Sequence, residues 1–84
     1  MNVTYEHLSK GIAARLSAAR KNAGLSQTVV AKRLAIPRPS LSEVESGRRR
    51  LTANEFILLA NLYNVSLDWL AGNDDATIST PETV

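Results

Sequence analysis

The chain has 84 residues, which is room for one small domain with a single apolar core. Without cysteine and with a single histidine, it lacks the residues for a disulfide framework, a thiolate nucleophile or an ordinary metal site. We therefore expect neither an enzyme nor a cofactor. No apolar run approaches the roughly 18 residues of a membrane span, and no signal-peptide stretch opens the chain, so we expect a cytoplasmic protein without membrane contact.

Charge is distributed unevenly along the chain, although the formal net charge is only +2. All ten Lys and Arg lie between Lys10 and Arg50, where only Glu43 and Glu45 oppose them. A basic block beside an acidic remainder indicates a surface that faces a polyanion such as nucleic acid. From charge alone, a solvated charged face is an equally good interpretation.

The first half of the chain predicts two helices. Apolar residues at helical spacing indicate a first helix over residues 6–22, with a stripe formed by Leu8, Ile12, Leu16, Ala19 and Ala23. Gly24 can take the positive φ that ends a helix. Ser26 is a good N-cap for a second helix over residues 27–34, whose apolar face is formed by Val30, Ala31 and Leu34.

The second half predicts three more helices. After a connector at residues 35–37, a third helix runs to the residue before Gly47, and prolines are tolerated in its first turn. The run Thr52-Ala53-Asn54-Glu55 fits a capping box, so a fourth helix begins at Ala53, with a buried stripe formed by Phe56, Leu59, Ala60 and Tyr63. Asn64 can provide its left-handed stop.

Ser66 caps a short fifth helix through Leu70, which Gly72 closes. Residues 73–84 are acidic and polar without periodicity, which predicts a flexible tail. No stretch reads as a strand, and the fold class predicted from the sequence is all-α.

The segment from Gln27 to Ser46 has the pattern of two short helices that cross steeply through a tight turn. Ala31 is the small residue at their contact, and the residues that wedge them onto the core are Val30, Leu34, Ile36, Leu41 and Val44. The pattern leaves a polar, short-side-chained surface on the third helix, formed by Arg38, Pro39, Ser40, Ser42, Glu43 and Ser46. Such a surface suits entry into a DNA major groove.

Three stretches resemble the Cro/phage-repressor (XRE) helix-turn-helix family: Gly24-Leu25-Ser26-Gln27 with Ala31, then Ile36-Pro37-Arg38-Pro39-Ser40-Leu41-Ser42-Glu43-Val44-Glu45-Ser46-Gly47, and Asn64-Val65-Ser66-Leu67-Asp68-Trp69-Leu70. The resemblance covers Ile12 to Gly72. It implies a compact five-helix lambda-repressor-like domain over residues 1–72. It also implies a DNA-binding transcriptional regulator, expected to repress, that acts as a homodimer on a palindromic operator in double-stranded DNA.

The resemblance also assigns roles to individual residues. The residues at base-contacting positions are Pro37, Arg38, Pro39, Ser40, Ser42 and Glu43, and those expected at phosphates are Ser26, Gln27, Ser46, Arg48, Arg49 and Arg50. Arginine can grip guanine O6 and N7 with two hydrogen bonds, which makes Arg38 the strongest candidate. Glu43 can accept a hydrogen bond from cytosine N4, but its charge also repels phosphate. Arg20 and Glu45 match a structural ion pair between the first and third helices.

Three departures from the family pattern stand out. Ala35 occupies a turn position that usually holds glycine, where left-handed alanine costs about 1 kcal/mol. Val29 replaces a usually acidic residue and exposes an apolar side chain. Ile57 and Leu58 lie beside the core stripe of the fourth helix, which leads to the hypothesis that Leu58 forms a dimer contact with Leu67, Trp69 or the tail.

Two other functions remain open at this point. The chain could be a protein-interaction module, such as an antitoxin or immunity partner, that uses Val29 and Leu58 to hold an unknown protein. It could also be the DNA-binding part of a longer regulator, with the tail as a linker. Insensitivity of binding to salt and to loss of Arg38 would favour the protein-interaction module.

Overall fold

A computed structural model describes residues 5–72, with side chains from His7 onward. The five helices are α1 (Tyr5–Asn22), α2 (Gln27–Leu34), α3 (Arg38–Glu45), α4 (Ala53–Tyr63) and α5 (Leu67–Leu70). No strand occurs between residues 5 and 72, and the predicted all-α fold class is confirmed. The predicted flexible tail, residues 73–84, lies outside the described residues, and the domain boundary at residue 72 stays a prediction.

Local hydrogen bonds explain why three of the helices begin where they do. Ser26 Oγ and Ser66 Oγ each accept a hydrogen bond from the backbone N–H three residues later, at 3.1 and 3.0 Å. At the start of α4, Thr52 Oγ1 accepts from the Glu55 N–H, and Glu55 Oε1 accepts from the Thr52 N–H, both at 3.1 Å. The predicted capping box is therefore formed.

Left-handed residues end the helices. Gly24 follows α1 with a φ of 74°, Ala35 ends α2 with a φ of 57°, and Asn64 ends α4 with a φ of 58°. Glycine and asparagine adopt this conformation readily, whereas the Cβ of alanine crowds the following carbonyl oxygen. Ala35 therefore holds strain at the corner between α2 and α3.

Replacing Ala35 with glycine is expected to raise the free energy of unfolding by about 0.5–1 kcal/mol, because relief of the left-handed strain exceeds the entropy that glycine adds to the unfolded chain. Urea unfolding followed by circular dichroism measures this change. The matched control is Asn64→Gly, which should gain less. Equal or lower stability of Ala35→Gly would contradict strain at this corner.

All five helices contribute to one apolar core. Its buried residues are Ala13, Leu16, Ala19, Val30, Ala31, Leu41, Val44, Leu59, Ala60, Tyr63 and Leu70. The predicted stripe of α1 needs correction at both ends, because Leu8 and Ala23 are exposed. Leu8 lines an open cleft between α1 and the start of α4, and Ala23 lies in the turn after α1. Periodicity identifies the inner face of a helix but not how far its neighbours extend along it.

Contacts with two other helices hold α3 in place. It packs against α2 on one side and against α1 on the other, while α5 packs on α1 and α4. The guanidinium carbon of Arg15 lies 5.2 Å from the centre of the Trp69 ring, which adds a cation–π contact between α1 and α5. The flank of α3 that faces neither α1 nor α2 is thereby left open.

Candidate nucleic-acid interface

Helix α3 has one buried face and one open face. Leu41 and Val44 are only 1% and 4% exposed and fix the inner face on the core. The six predicted base-contact residues lie on the open side, where Pro37, Arg38, Pro39 and Glu43 are exposed and Ser40 and Ser42 are half-buried. The polar flank that the sequence predicts therefore lies at the protein surface.

Two prolines fix the start of α3. Pro37 is the N-cap with extended backbone, and Pro39 lies in the first turn. Their rings restrict φ, and neither has a backbone N–H that the helix would leave unpaired. Arg38 lies between them, so its side chain projects from a backbone that is already ordered.

The start of α2 has two different side chains. Ser26 is exposed, and its Oγ accepts from the Val29 N–H, which leaves its own O–H as a donor. Gln27 is half-buried, and its Nε2 donates to Glu45 Oε1 at 3.0 Å. The side chain of Gln27 is thus directed to α3, an interaction that the sequence did not predict.

The expected ion pair between α1 and α3 is formed. Arg20 Nε and Nη2 donate to the two carboxylate oxygens of Glu45 at 2.8 and 3.1 Å, and the side chains are only 11% and 5% exposed. Arg20 Nη1 also donates to the carbonyl oxygen of Leu25 at 2.9 Å. The hydrogen bond to Glu45 raises the pKa of the Arg20 guanidinium. This pair is part of the scaffold that holds α3.

The arginines after α3 are not equivalent. Arg48 is exposed, with its Nε 4.0 Å from Glu43 Oε2, and Arg50 is exposed as well. Arg49 is half-buried and forms two hydrogen bonds with the Glu55 carboxylate, at 2.8 and 3.1 Å. These bonds raise the pKa of Arg49 and lower the pKa of Glu55. The sequence analysis gave the three arginines the same role. In the structure, the hydrogen bonds of Arg49 to Glu55 hold the segment before α4 against that helix.

Ser46 completes the predicted phosphate-contact set. It is the C-cap of α3, and its exposed hydroxyl donates to the Glu43 carbonyl oxygen at 3.0 Å. Gly47 then takes a φ of 81°, which turns the chain towards the arginines. Ser26, Ser46, Arg48 and Arg50 are the exposed members of the set, and Gln27 and Arg49 are its half-buried members.

Tyr63 is a buried group for which the sequence predicted only a core position. Its hydroxyl has no hydrogen-bond partner among the described residues. Burial, together with the nearby charge of Glu45, raises the pKa of Tyr63 to about 12, against the opposing charge of Arg20. The hydroxyl therefore belongs to the electrostatic surroundings of the Arg20–Glu45 pair.

Replacing Tyr63 with phenylalanine is expected to leave stability at pH 7 unchanged or raise it by up to about 1 kcal/mol, because it removes an unpaired buried hydroxyl. In the wild type, the unfolded chain releases the phenol proton at an ordinary pKa of 10.0, whereas the folded chain holds it to about 12. Stability therefore falls as the pH rises through this range.

Urea unfolding of the wild type and the variant at pH 7 and at several pH values above 10 tests this dependence. The Tyr63→Phe variant should lose less stability in alkali than the wild type. Parallel loss in the two proteins would contradict the raised pKa.

Residues 5–72 contain neither a group of metal ligands nor a membrane-spanning helix. No group of three or more His, Cys, Asp and Glu residues in this part of the chain is arranged to hold a metal ion. None of the helices described above combines the length and apolar character needed to cross a membrane.

Two crossing helices, the second with an open polar flank, define a helix-turn-helix domain. The sequence profile of a helix-turn-helix family matches residues 16–70, and the chain belongs to this family. The resemblance to the Cro/phage-repressor (XRE) type is thereby confirmed.

A curated relative adds a second finding. The chain is similar to the HTH-type transcriptional regulator ImmR of Bacillus subtilis (strain 168), with 40% identity over 63 residues. The matched region is 75% of this chain and 50% of that protein, so the chain spans about half the length of the relative.

Proposed function

We propose that the protein is a transcriptional regulator that binds double-stranded DNA and reads its sequence with α3 in the major groove. The observation that carries this proposal is the division of α3 into a buried Leu41–Val44 face and an exposed polar flank. Arg38 at the start of the flank is available for guanine, and Glu43 is available for cytosine N4. Membership of the helix-turn-helix family and the similarity to a transcriptional regulator support the same function.

Contacts to the DNA phosphates supply the rest of the affinity for DNA in this proposal. Ser26 carries a hydroxyl donor before the helix pair, and Arg48 and Arg50 add positive charge beyond α3. Neutralised phosphates release counterions, so affinity should fall steeply as the salt concentration rises. Arg49 contributes by holding the arginine segment against Glu55.

We further propose that two copies bind an inverted repeat and repress by covering a promoter. A two-fold dimer presents its two reading helices about 34 Å apart, one turn of the duplex. Large apolar side chains that a monomer leaves in water support self-association, since Leu58 is 51% and Leu67 43% exposed. Trp69 is half-buried beneath Arg15, which makes it a weaker candidate than these leucines.

Selection of duplexes from a random pool by the purified protein, followed by sequencing, tests the proposal. A palindromic consensus would support both base reading and two-fold symmetry. Sedimentation with and without the selected duplex tests the dimer. Failure to enrich any sequence would overturn DNA reading, and a monomer at high concentration in both samples would overturn the dimer.

A protein-interaction module, such as an antitoxin or immunity partner, is the second candidate. Its support is the exposure of Val29 on α2 and of Leu58 on α4. Binding to such a partner would survive Arg38→Ala and moderate salt, in contrast to binding to DNA. A reporter gene placed behind the selected duplex separates the two functions, since only the DNA regulator lowers its expression directly.

A further inference from the structure

We propose that Gln27 is a positioning residue that fixes the orientation of α3 through Glu45. The inference rests on the proposed DNA-reading function and goes beyond it, because it assigns sequence discrimination to a side chain that lies outside the reading flank. The hydrogen bond from Gln27 Nε2 to Glu45 Oε1 carries it.

The hydrogen bond between Gln27 and Glu45 joins the ends of α2 and α3 that the connector does not join. The connector at residues 35–37 joins the end of α2 to the start of α3. Gln27 is the first residue of α2 and Glu45 is the last residue of α3, and their side chains meet at 3.0 Å. The two helices are therefore joined at both ends, by the chain at one and by this hydrogen bond at the other. A second link of this kind restricts the angle between them.

The Glu45 carboxylate that accepts this hydrogen bond is itself held in place by Arg20. Both Glu45 oxygens accept hydrogen bonds from Arg20 of α1, and the carboxylate is only 5% exposed. The same guanidinium donates to the carbonyl oxygen of Leu25, two residues before Gln27. Gln27 is thus bonded to a charge that is already fixed to α1, and hydrogen bonds to such charges are the stronger ones.

Contacts to base edges should depend on the orientation of α3 more strongly than contacts to phosphates do. Hydrogen bonds to base edges need side chains held within about 0.5 Å and 10–20° of the productive geometry. Attraction between arginines and phosphates depends less on direction and tolerates larger errors in the position of α3. Loss of the Gln27 amide should therefore weaken binding to a recognised sequence more than binding to arbitrary DNA.

The test uses Gln27→Met, which keeps the side-chain length without the amide, and Gln27→Asn, which keeps the amide but shortens its reach. Asn22→Met, an exposed amide at the end of α1, is the matched control. Dissociation constants are measured for a duplex selected by the wild type and for a scrambled duplex of equal composition. Both Gln27 variants should lower the ratio of the scrambled to the selected dissociation constant about tenfold, mainly by weakening binding to the selected duplex.

A second measurement shows whether the effect passes through Glu45. In a Glu45→Gln background, Gln27→Met should lower the ratio by less than about twofold, because the link is already weakened. Equal weakening on both duplexes would identify a phosphate contact and overturn the proposal, as would an unchanged ratio. If the wild type itself selects no duplex, the proposed function fails, and that outcome is visible before any variant is made.

Discussion

Replacement of Arg38 by alanine is expected to lower discrimination between the selected and scrambled duplexes by about tenfold or more. A bidentate contact to guanine is worth about 1–3 kcal/mol against a wrong base, and this side chain is exposed at the ordered start of α3. Affinity for the scrambled duplex should change by less than about threefold, because other cations remain to neutralise phosphates. Fluorescence anisotropy at several salt concentrations measures both constants.

The matched control for Arg38 is Arg33→Ala, which removes an exposed arginine from α2. It lowers the net charge by the same amount but should leave discrimination unchanged. Loss of affinity by Arg38→Ala to the same degree on both duplexes would show that Arg38 attracts the backbone and does not read bases.

The second large effect is expected in the core. Leu41→Ala should lower the free energy of unfolding by about 3 kcal/mol, because Leu41 is 1% exposed on the inner face of α3 and its loss leaves a cavity. Domains of this size are typically stable by only about 5–10 kcal/mol, so the variant should unfold at a much lower urea concentration.

Ser42→Ala, at the half-buried neighbouring position, is the control for Leu41. It should change the free energy of unfolding by less than about 1 kcal/mol, as substitutions at less buried positions usually do. Similar losses in both variants would contradict the division of α3 into an inner and an outer face.

The helices of this protein could be predicted because residues within one turn of each helix end determine where the helix begins or stops. Ser26, Thr52 and Ser66 accept from a backbone N–H three residues away, and Asn64 takes the left-handed conformation that ends α4. Each signal involves residues within one turn, so no knowledge of the tertiary fold is needed. The same reasoning identified the inner residues of α3, whose spacing alone separates them from the polar flank.

Side-chain contacts between distant residues could not be predicted from these patterns. Arg49 and Glu55 meet across the segment before α4, and Gln27 meets Glu45 only because α2 and α3 cross. The unpaired hydroxyl of Tyr63 likewise depends on what surrounds it in three dimensions. A resemblance to a family supplied the Arg20–Glu45 pair, but it did not reveal that Gln27 joins the same carboxylate.

The function depends on whether the outer face of α3 contacts base edges. A titration of isotope-labelled protein with the selected duplex, followed by amide NMR signals, tests this most directly. We expect the largest shifts at Arg38, Ser42 and Glu43, and smaller shifts at Leu58 and Leu67, after the shifts seen with the scrambled duplex are subtracted. Shifts centred on α4 and α5, with the signals of α3 unmoved, would contradict it.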